Sequence, residues 1–458
     1  MKRFIFFFLL ILFSSASFSQ YTIKVKVDSM PTNKAYLSEF LGDKTKIIDS
    51  ARTTGSGNIE FRLAADAHPG LYRIIVGPNN YWDIIFNKEN IRLRTHYAAP
   101  HDSLKVIESV ENTLLKKYMS YNITRSRKGE GISKLMGLYD KNSEFYKSLE
   151  KELMNIRRED PQKITREIVE QNPHSYAARF LRAEQNPVVP AGLGQEEELE
   201  YIMEHFFDNI DFKDSLLIYS PPLITKVRYY FGFLQQAYPS SEIEEKLIKG
   251  LDKLMSLAAV SDPVFDFILN DLADGFERSE YETFFAYLTE TYLLDAGCTD
   301  ESRSSELSEI LASIKKTAIG IKAPEIILPL PDGPVILSDI PEKYVLVFFW
   351  ASWCPGCKEM LPDIKRIYNS YNQSGFEIVA ISIDKDKSEY NSALAKGQYP
   401  WLNYSELKGW DCSIAYDYGI RATPTMVLLD EERKIIAKPR NPGMLVEVLT
   451  RQGLRPNQ

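Results

Sequence analysis

Apolar and polar residues alternate with a period of two from Tyr21 to about Tyr97. Successive side chains of a strand point to opposite faces of a sheet, so this alternation is typical of half-buried strands. The alternating runs are residues 21–27, 58–63, 71–76, 82–86 and 91–94. Turn-forming residues separate several of these runs, at 55–57, 69–70 and 77–80. Short strands at this spacing predict a β-rich, sandwich-like domain over residues 20–100.

The period changes after about residue 101, where apolar residues recur every three or four positions with charged residues between them. This spacing aligns apolar side chains along one face of a helix. The clearest helical runs are residues 109–121, 143–158 and 242–259. Proline-containing dipeptides such as Asn172-Pro173 and Pro221-Pro222 interrupt the pattern, and no repeat of fixed length is convincing. We therefore predict an irregular α-helical domain over residues 101–321.

Strands and helices alternate in the last part of the chain, residues 322–458, after a proline-rich extended lead-in. Tyr344–Trp350 is a continuous apolar run, as a strand buried on both faces requires, and Phe376–Ser382 is predicted to be a second buried strand. Further strands are predicted at 425–429 and 434–438, and helices at 358–371, 389–396, 412–418 and 444–451. The order βαβ followed by ββα predicts an α/β domain, so the chain as a whole is multidomain.

The first nineteen residues have the pattern of a secretory signal peptide. A basic start (Met1–Arg3) precedes an apolar run (Phe4–Phe13) that is too short to span a bilayer, and a small, mostly polar stretch follows. This pattern predicts export to the periplasm or cell envelope, with Gln20 as the mature N-terminus. An uncleaved membrane anchor is the alternative. Because no second apolar run of membrane length follows, we expect no transmembrane segment in the mature chain.

Composition and charge narrow the function classes. Hydrophobic residues make up 44% and charged residues 26% of the chain, which is the globular range. The formal net charge is −8 and no dense block of Lys and Arg occurs, so we expect no nucleic-acid partner. The four cysteines are too few for a disulfide scaffold, and the five histidines are scattered without metal-ligand spacing. We therefore expect neither a metal nor a cofactor.

The candidate chemistry lies in Cys354-Pro355-Gly356-Cys357, which follows the buried run Tyr344–Trp350 and begins a helix. Two cysteines three residues apart at a helix start bring their sulfurs within bonding distance. The unpaired amides and dipole of the helix start stabilise a thiolate on the first cysteine. We therefore expect Cys354 to be the exposed nucleophile and Cys357 the shielded resolving cysteine of a redox-active disulfide. Pro355 and Gly356 are expected to tune its potential.

The motif Trp350–Cys357 (WASWCPGC) resembles the thioredoxin superfamily, and most closely its membrane-side TlpA/ResA-type thiol–disulfide oxidoreductases. A second motif, Gly419–Thr425 (GIRATPT), resembles the same family. The resemblance implies a cis Pro424 that faces the cysteines, and a Thr423 backbone that pairs with an extended substrate segment. Disulfide-bearing proteins are then the expected partners, together with an inner-membrane electron donor. We also expect Trp353 to form a rim that faces the substrate.

Two positions depart from the family. Phe348 stands where thioredoxins bury an aspartate six residues before the first cysteine, and Met360 stands where many relatives carry a glutamate. The nearest acid, Glu359, is one position away, which is about 100° of rotation on a helix. The resemblance therefore leaves the proton acceptor of the reaction open. The two regions before residue 322 resemble uncharacterised β-rich and helical modules of envelope proteins, and no chemistry carries over from them.

The sequence thus predicts an exported thiol–disulfide oxidoreductase that reduces protein disulfides. One alternative is a redox-latched envelope binding protein. Another is a thiol peroxidase, although Ala351–Cys354 lacks the threonine of the peroxidase pattern. A third alternative is that Cys354 and Cys357 form half of a zinc site, although zinc requires four ligands. The bonding state of Cys298 and Cys412 remains open, since they can pair with each other or stay separate thiols. We expect Cys412 to be buried.

Overall fold

The structure is a computed structural model that describes residues 21–31, 33–53, 57–158, 162–190, 192–239, 242–277, 279, 281–294, 301–331 and 333–457, without the side chains of 157–158, 301–304 and 306. The predicted signal peptide and Cys298 lie outside the described residues. The strands are β1 Tyr21–Asp28, β2 Lys34–Leu41, β3 Lys44–Arg52, β4 Asn58–Leu63, β5 Gly70–Gly77, β6 Asn80–Phe86, β7 Ile91–His96, β8 Lys105–Glu108, β9 Ile327–Leu330, β10 Gly333–Ile336, β11 Tyr344–Trp350, β12 Phe376–Ser382, β13 Leu402–Ser405, β14 Thr425–Leu429 and β15 Ile435–Ala437. The α-helices are α1 Val110–Met136, α2 Glu144–Arg158, α3 Lys163–Gln171, α4 Tyr176–Ala183, α5 Gln195–His205, α6 Pro222–Ala237, α7 Ile243–Ala258, α8 Asp262–Phe276, α9 Glu282–Leu288, α10 Glu301–Lys316, α11 Pro355–Tyr371, α12 Lys387–Gly397, α13 Ser413–Asp417 and α14 Pro442–Arg451.

The chain forms two compact units. The first contains the described residues within 1–237 and 254–268, and the second contains those within 238–253 and 269–458. Helices α7 and α8 each contribute to both units. The architecture confirms the predicted fold class, with a β-rich N-terminal region, a helical middle region and a C-terminal α/β domain. The predicted domain boundaries at residues 100 and 321 remain predictions.

The β-rich region of the first unit consists of two four-stranded sheets, in the orders β4-β1-β7-β8 and β3-β2-β5-β6. Their buried side chains form one core, which includes Ile23, Phe61, Ile74 and Trp82. The sequence prediction missed β2, β3 and β8. Strand β3 is an edge strand, and eight of its nine residues are exposed, so it carries no alternating apolar signal.

Side chains of α1 attach the helical region of the first unit to the β-rich region. The amide of Asn112 donates to the carbonyl of Ile85 at 2.8 Å and accepts from its N–H at 3.0 Å, which extends the edge of β6. The buried carboxylate of Glu111 accepts the N–H groups of Tyr176 and Ala177 at 3.0 and 2.8 Å. These N–H groups lie at the start of α4, where a helix leaves its amides unpaired. The start of the helical region is therefore fixed by satisfied polar contacts.

The C-terminal domain of the second unit is built on a five-stranded sheet with the order β13-β12-β11-β14-β15. The central strand, β11, is buried at all seven positions, as its unbroken apolar sequence predicted. It runs parallel to β12, with Tyr344 opposite Phe376, and antiparallel to β14, with Val345 opposite Leu429. Strand β13 and the hairpin of β9 and β10 were not predicted. The two most buried strands thus form the base on which the motif stands.

Helix α11 begins at Pro355, within the cysteine motif that was expected to begin a helix and three residues before the helical run 358–371. Proline suits the first helical position, because no intrahelical partner exists there for an N–H group. The connection from β11 to α11 is a tight turn, in which the N–H of Cys354 donates to the carbonyl of Ala351 at 3.2 Å. The cysteine motif is therefore held between a fully buried strand and the first turn of a helix.

Residues 320–323 pair with residues 433–435, across the predicted boundary at 321/322. The N–H groups of Gly320 and Ala323 donate to Ile435 and Arg433 at 2.7 and 2.8 Å. The Arg433 side chain, which is 5% exposed, donates to the carbonyls of Leu337, Ile340, Glu342 and Asp430. Its guanidinium therefore connects the segment before β11 to the turn between β14 and β15.

We expect Arg433→Met to lower the free energy of unfolding by about 2–4 kcal/mol, because it leaves several buried carbonyls without donors. Urea denaturation of the full chain followed by tryptophan fluorescence measures this loss. The control is Arg451→Met, since Arg451 pairs with Glu447 on the exposed surface of α14 and its loss should change stability by less than about 0.5 kcal/mol. Equal midpoints for the two variants would contradict the role assigned to Arg433.

Candidate active site

Cys354 and Cys357 form a disulfide at the start of α11, with their Cα atoms 5.3 Å apart. Cys354 is the residue that caps the helix, and its Sγ accepts the N–H of Cys357 at 3.1 Å. The N-terminus of a helix carries a partial positive charge and unpaired donors, so it stabilises negative charge at this sulfur. The expected redox-active pair is thus placed where a thiolate on Cys354 is favoured over one on Cys357.

The expected exposure of Cys354 is wrong, since the residue is only 3% exposed, while Cys357 is fully buried. The Cys354 Sγ lies 3.3 Å from the carbonyl oxygen of Thr423, and this contact covers part of the sulfur. Around the disulfide the surface is open at Trp353, which is 48% exposed, and at Pro355 and Gly356. These three residues therefore form exposed surface beside the disulfide. Trp350, by contrast, is a core residue.

The loop before β14 lies against the cysteine motif. The peptide bond between Thr423 and Pro424 is cis, as the resemblance implied. A Cβ atom on Gly356 would lie 3.3 Å from Cδ of Pro424, so the proline ring packs directly on the dipeptide between the cysteines. The structure thus brings together the two motifs, which are more than sixty residues apart in the sequence. Thr423, Pro424, Pro355 and Gly356 all lie beside the disulfide.

The two positions that departed from the family carry no acid. Phe348 is fully buried in the centre of β11, and Met360 packs against the core of the domain. Glu359 is exposed on the surface of α11. Neither family position therefore supplies a carboxylate to the buried sulfur of Cys357.

A buried carboxylate that the sequence analysis did not single out lies beside the turn between β11 and α11. Asp384 is fully buried just after β12, and its oxygens accept the N–H of Ser352 at 3.0 and 3.2 Å and its hydroxyl at 2.7 Å. The hydroxyl of Ser382 donates to the same carboxylate at 2.6 Å. The signal that points to Asp384 is an acid at the carboxyl end of a buried strand, parallel and adjacent to the strand that leads into the motif.

Helical residues of the second unit also lie against the loop that carries Pro424. Gly419 adopts a left-handed conformation, with φ +64°, and a Cβ atom there would collide with Oγ of Ser313 in α10 and lie 3.2 Å from its Cβ. Arg421 lies 4.0 Å from the carboxylate of Glu277, which follows α8. The loop is therefore supported by residues that precede the predicted thioredoxin-like domain.

Cys412 is fully buried, as expected, and burial raises the pKa of its thiol. It forms no disulfide with the other cysteines that the structure describes. Cys298, which the sequence leaves open as a partner of Cys412, lies outside the described residues. In the described part of the chain, no group of three or more His, Cys, Asp or Glu side chains is arranged to hold a metal. Over the same part, no helix combines the length and the apolar character that a membrane span requires.

Comparisons with known proteins match the C-terminal domain. A family model described as thioredoxin-like matches residues 342–435. The thiol-disulfide oxidoreductase ResA of Bacillus cereus is 30% identical over 128 residues, which are 28% of this chain and 72% of that protein. ResA of Bacillus subtilis is 28% identical over 129 residues, which are 28% of this chain and 70% of that protein.

One solved structure, of a thioredoxin-like protein from Bacteroides caccae, aligns with 58% of this chain and 97% of its own. The TM-score is 0.44 and the sequence identity is 22%.

We expect Gly419→Ala to lower the free energy of unfolding by about 2–4 kcal/mol, because it adds a collision with Ser313 to the strain of a positive φ. Gly453→Ala is the matched control. Gly453 also has a positive φ, +85°, but a Cβ atom there meets nothing within 4 Å, so only the backbone strain of about 1 kcal/mol applies. Urea denaturation of both variants measures the difference. Equal losses would show that α10 does not press on Gly419.

Proposed function

Because this chain belongs to the thioredoxin superfamily, among the ResA-type thiol–disulfide oxidoreductases, we propose that it is an exported enzyme that reduces protein disulfides with Cys354 and Cys357. The observation that carries the proposal is the position of Cys354, whose sulfur caps α11 and accepts the N–H of Cys357 at 3.1 Å. A thiolate held at a helix start is both populated at neutral pH and a competent nucleophile.

The proposed cycle has two exchange steps. The Cys354 thiolate attacks one sulfur of the substrate disulfide, which forms a mixed disulfide and releases the other substrate sulfur as a thiolate. Cys357 then loses its proton, and its thiolate attacks Sγ of Cys354. This step forms the Cys354–Cys357 disulfide and releases the second substrate thiolate. Two electrons thereby pass from the protein dithiol to the substrate, and a dithiol donor at the inner membrane returns the protein to its reduced form.

Three residues around the disulfide are proposed to hold the substrate. The backbone of Thr423, next to the cis bond to Pro424, pairs with an extended substrate segment as an added strand would. Trp353, which is 48% exposed, supplies an aromatic surface beside the sulfur. The low exposure of Cys354, 3%, supports this arrangement, because a partner chain held along the loop brings its disulfide to a sulfur that offers little free surface.

Export is proposed on the signal-peptide pattern of residues 1–19. In an exported chain the pair operates in an oxidising compartment. Cell fractionation followed by N-terminal sequencing tests export. The expected product is an envelope protein that begins at Gln20, and a cytoplasmic chain that retains Met1 would contradict the proposal.

We expect Cys354→Ser to abolish reduction of insulin by the reduced full-length chain, because the attacking sulfur is lost. Cys357→Ser should also stop turnover, but should accumulate a mixed disulfide with the substrate that non-reducing gel electrophoresis detects. Cys412→Ser is the matched control, since that thiol is buried away from the exchange, and it should retain wild-type rates.

A wild-type rate no faster than those of Cys354→Ser and Cys357→Ser would reject the proposed function. Trapping of substrate by Cys354→Ser instead of Cys357→Ser would keep the function but reverse the two roles.

A further inference from the structure

Asp384 is a fully buried acid whose hydrogen bonds all lie in the turn before the cysteines or at the end of β12. The two carboxylate oxygens accept from three donors, which are the Ser352 N–H, the Ser352 hydroxyl at 2.7 Å and the Ser382 hydroxyl at 2.6 Å. The Ser382 hydroxyl in turn accepts the N–H of Asp384 at 3.0 Å. A buried carboxylate needs such a complete set of donors, so this network is built around the acid.

The network acts on the motif through a short stretch of main chain. The N–H of Ile383 donates to the carbonyl of Trp350 at 2.9 Å, which aligns the segment after β12 with the end of β11. Asp384 then holds Ser352, and the N–H of Cys354 donates to the carbonyl of Ala351. Ser352 is thus fixed inside the turn that sets the direction in which Cys354 meets the start of α11.

We propose that Asp384 is a positioning residue that holds the turn before Cys354 and whose charge keeps the reduction potential of the Cys354–Cys357 pair low. The inference rests on the proposed dithiol–disulfide cycle. A buried negative charge beside the turn opposes the negative charge of a thiolate on Cys354. It therefore destabilises the reduced, thiolate-bearing form relative to the disulfide, which lowers the potential and makes the dithiol a better reductant. In this chain the acid that lowers the potential is Asp384, whereas the family positions 348 and 360 hold Phe and Met.

Charged and titratable groups lie on the elements around this site. Tyr390 of α12 lies near Asp384, and burial together with the Asp384 charge raises the pKa of its phenol to about 12. Lys385 is exposed, and its side chain lies where a Cβ atom on Gly409 would be placed. On α11, Lys358 and Glu359 are exposed to solvent. Solvent screens these exposed charges, whereas the buried carboxylate is not screened in this way.

The test is Asp384→Asn in the full chain, equilibrated against reduced and oxidised glutathione. The amide has nearly the same shape and can still accept from Ser352, but it carries no charge. We expect the equilibrium constant for reduction of the protein disulfide to rise at least tenfold, which is a shift of about 30 mV to higher potential. The pH at which Cys354 becomes reactive to iodoacetamide should fall as well. A residue that serves only to stabilise the fold would change the urea midpoint and leave both quantities unchanged.

Asp386→Asn is the matched control, because Asp386 is an exposed acid two residues away that caps α12 by accepting from Ser388 and Glu389. Its equilibrium constant should stay within twofold of wild type. If Asp384→Asn fails to fold, the same glutathione equilibration of Ser352→Ala tests the inference. It removes one donor from the carboxylate, which leaves the negative charge less compensated, so its equilibrium constant should fall at least twofold.

A folded Asp384→Asn within twofold of wild type would overturn the inference, and so would an unchanged Ser352→Ala if the first variant does not fold. These outcomes are separate from failure of the proposed function, in which the wild-type pair itself would not equilibrate with glutathione.

Discussion

The chemistry of this protein depends on the contact between the Sγ of Cys354 and the backbone N–H of Cys357. Strand β11 is buried at all seven positions and cannot shift without exposing the core, and α11 begins five residues after it ends. The short turn between them leaves Cys354 as the residue that caps the helix, so its sulfur faces the unpaired amides of the first turn. The loop of Thr423 and Pro424 and the network around Asp384 both lie against this junction.

The elements that create the junction were the ones that the sequence predicted best. The unbroken apolar run of β11 and the largely apolar runs of β12 and β14 favour strands buried on both faces, and their predicted bounds match the structure. The cis bond before Pro424 was implied only by resemblance to a known family, because nothing local in GIRATPT requires it. The edge strands β3 and β13 escaped prediction, since an exposed or half-exposed strand has no regular apolar pattern.

Other parts of the site could not be predicted because they arise from tertiary packing. Cys354 is covered by the carbonyl of Thr423, a residue sixty-nine positions away, so its low exposure has no sequence signal. Asp384 resembles an ordinary acid after a strand until the pairing of β11 with β12 brings it to Ser352. The contact between Gly419 and Ser313 likewise joins the active-site loop to a helix of the region that was predicted to be a separate domain. The catalytic loop therefore depends on more of the chain than the α/β domain alone.

The central claim is that Cys354 and Cys357 cycle between disulfide and dithiol in the direction of reduction. Equilibration of the full chain against a series of glutathione buffers, followed by alkylation and mass spectrometry, tests it most directly. The account predicts a single two-electron transition, assigned to these two cysteines, with a midpoint near that of thioredoxin, roughly −270 mV. An alkylation pattern that stays constant across the series would contradict the cycle, and a midpoint near about −120 mV would contradict its reducing direction.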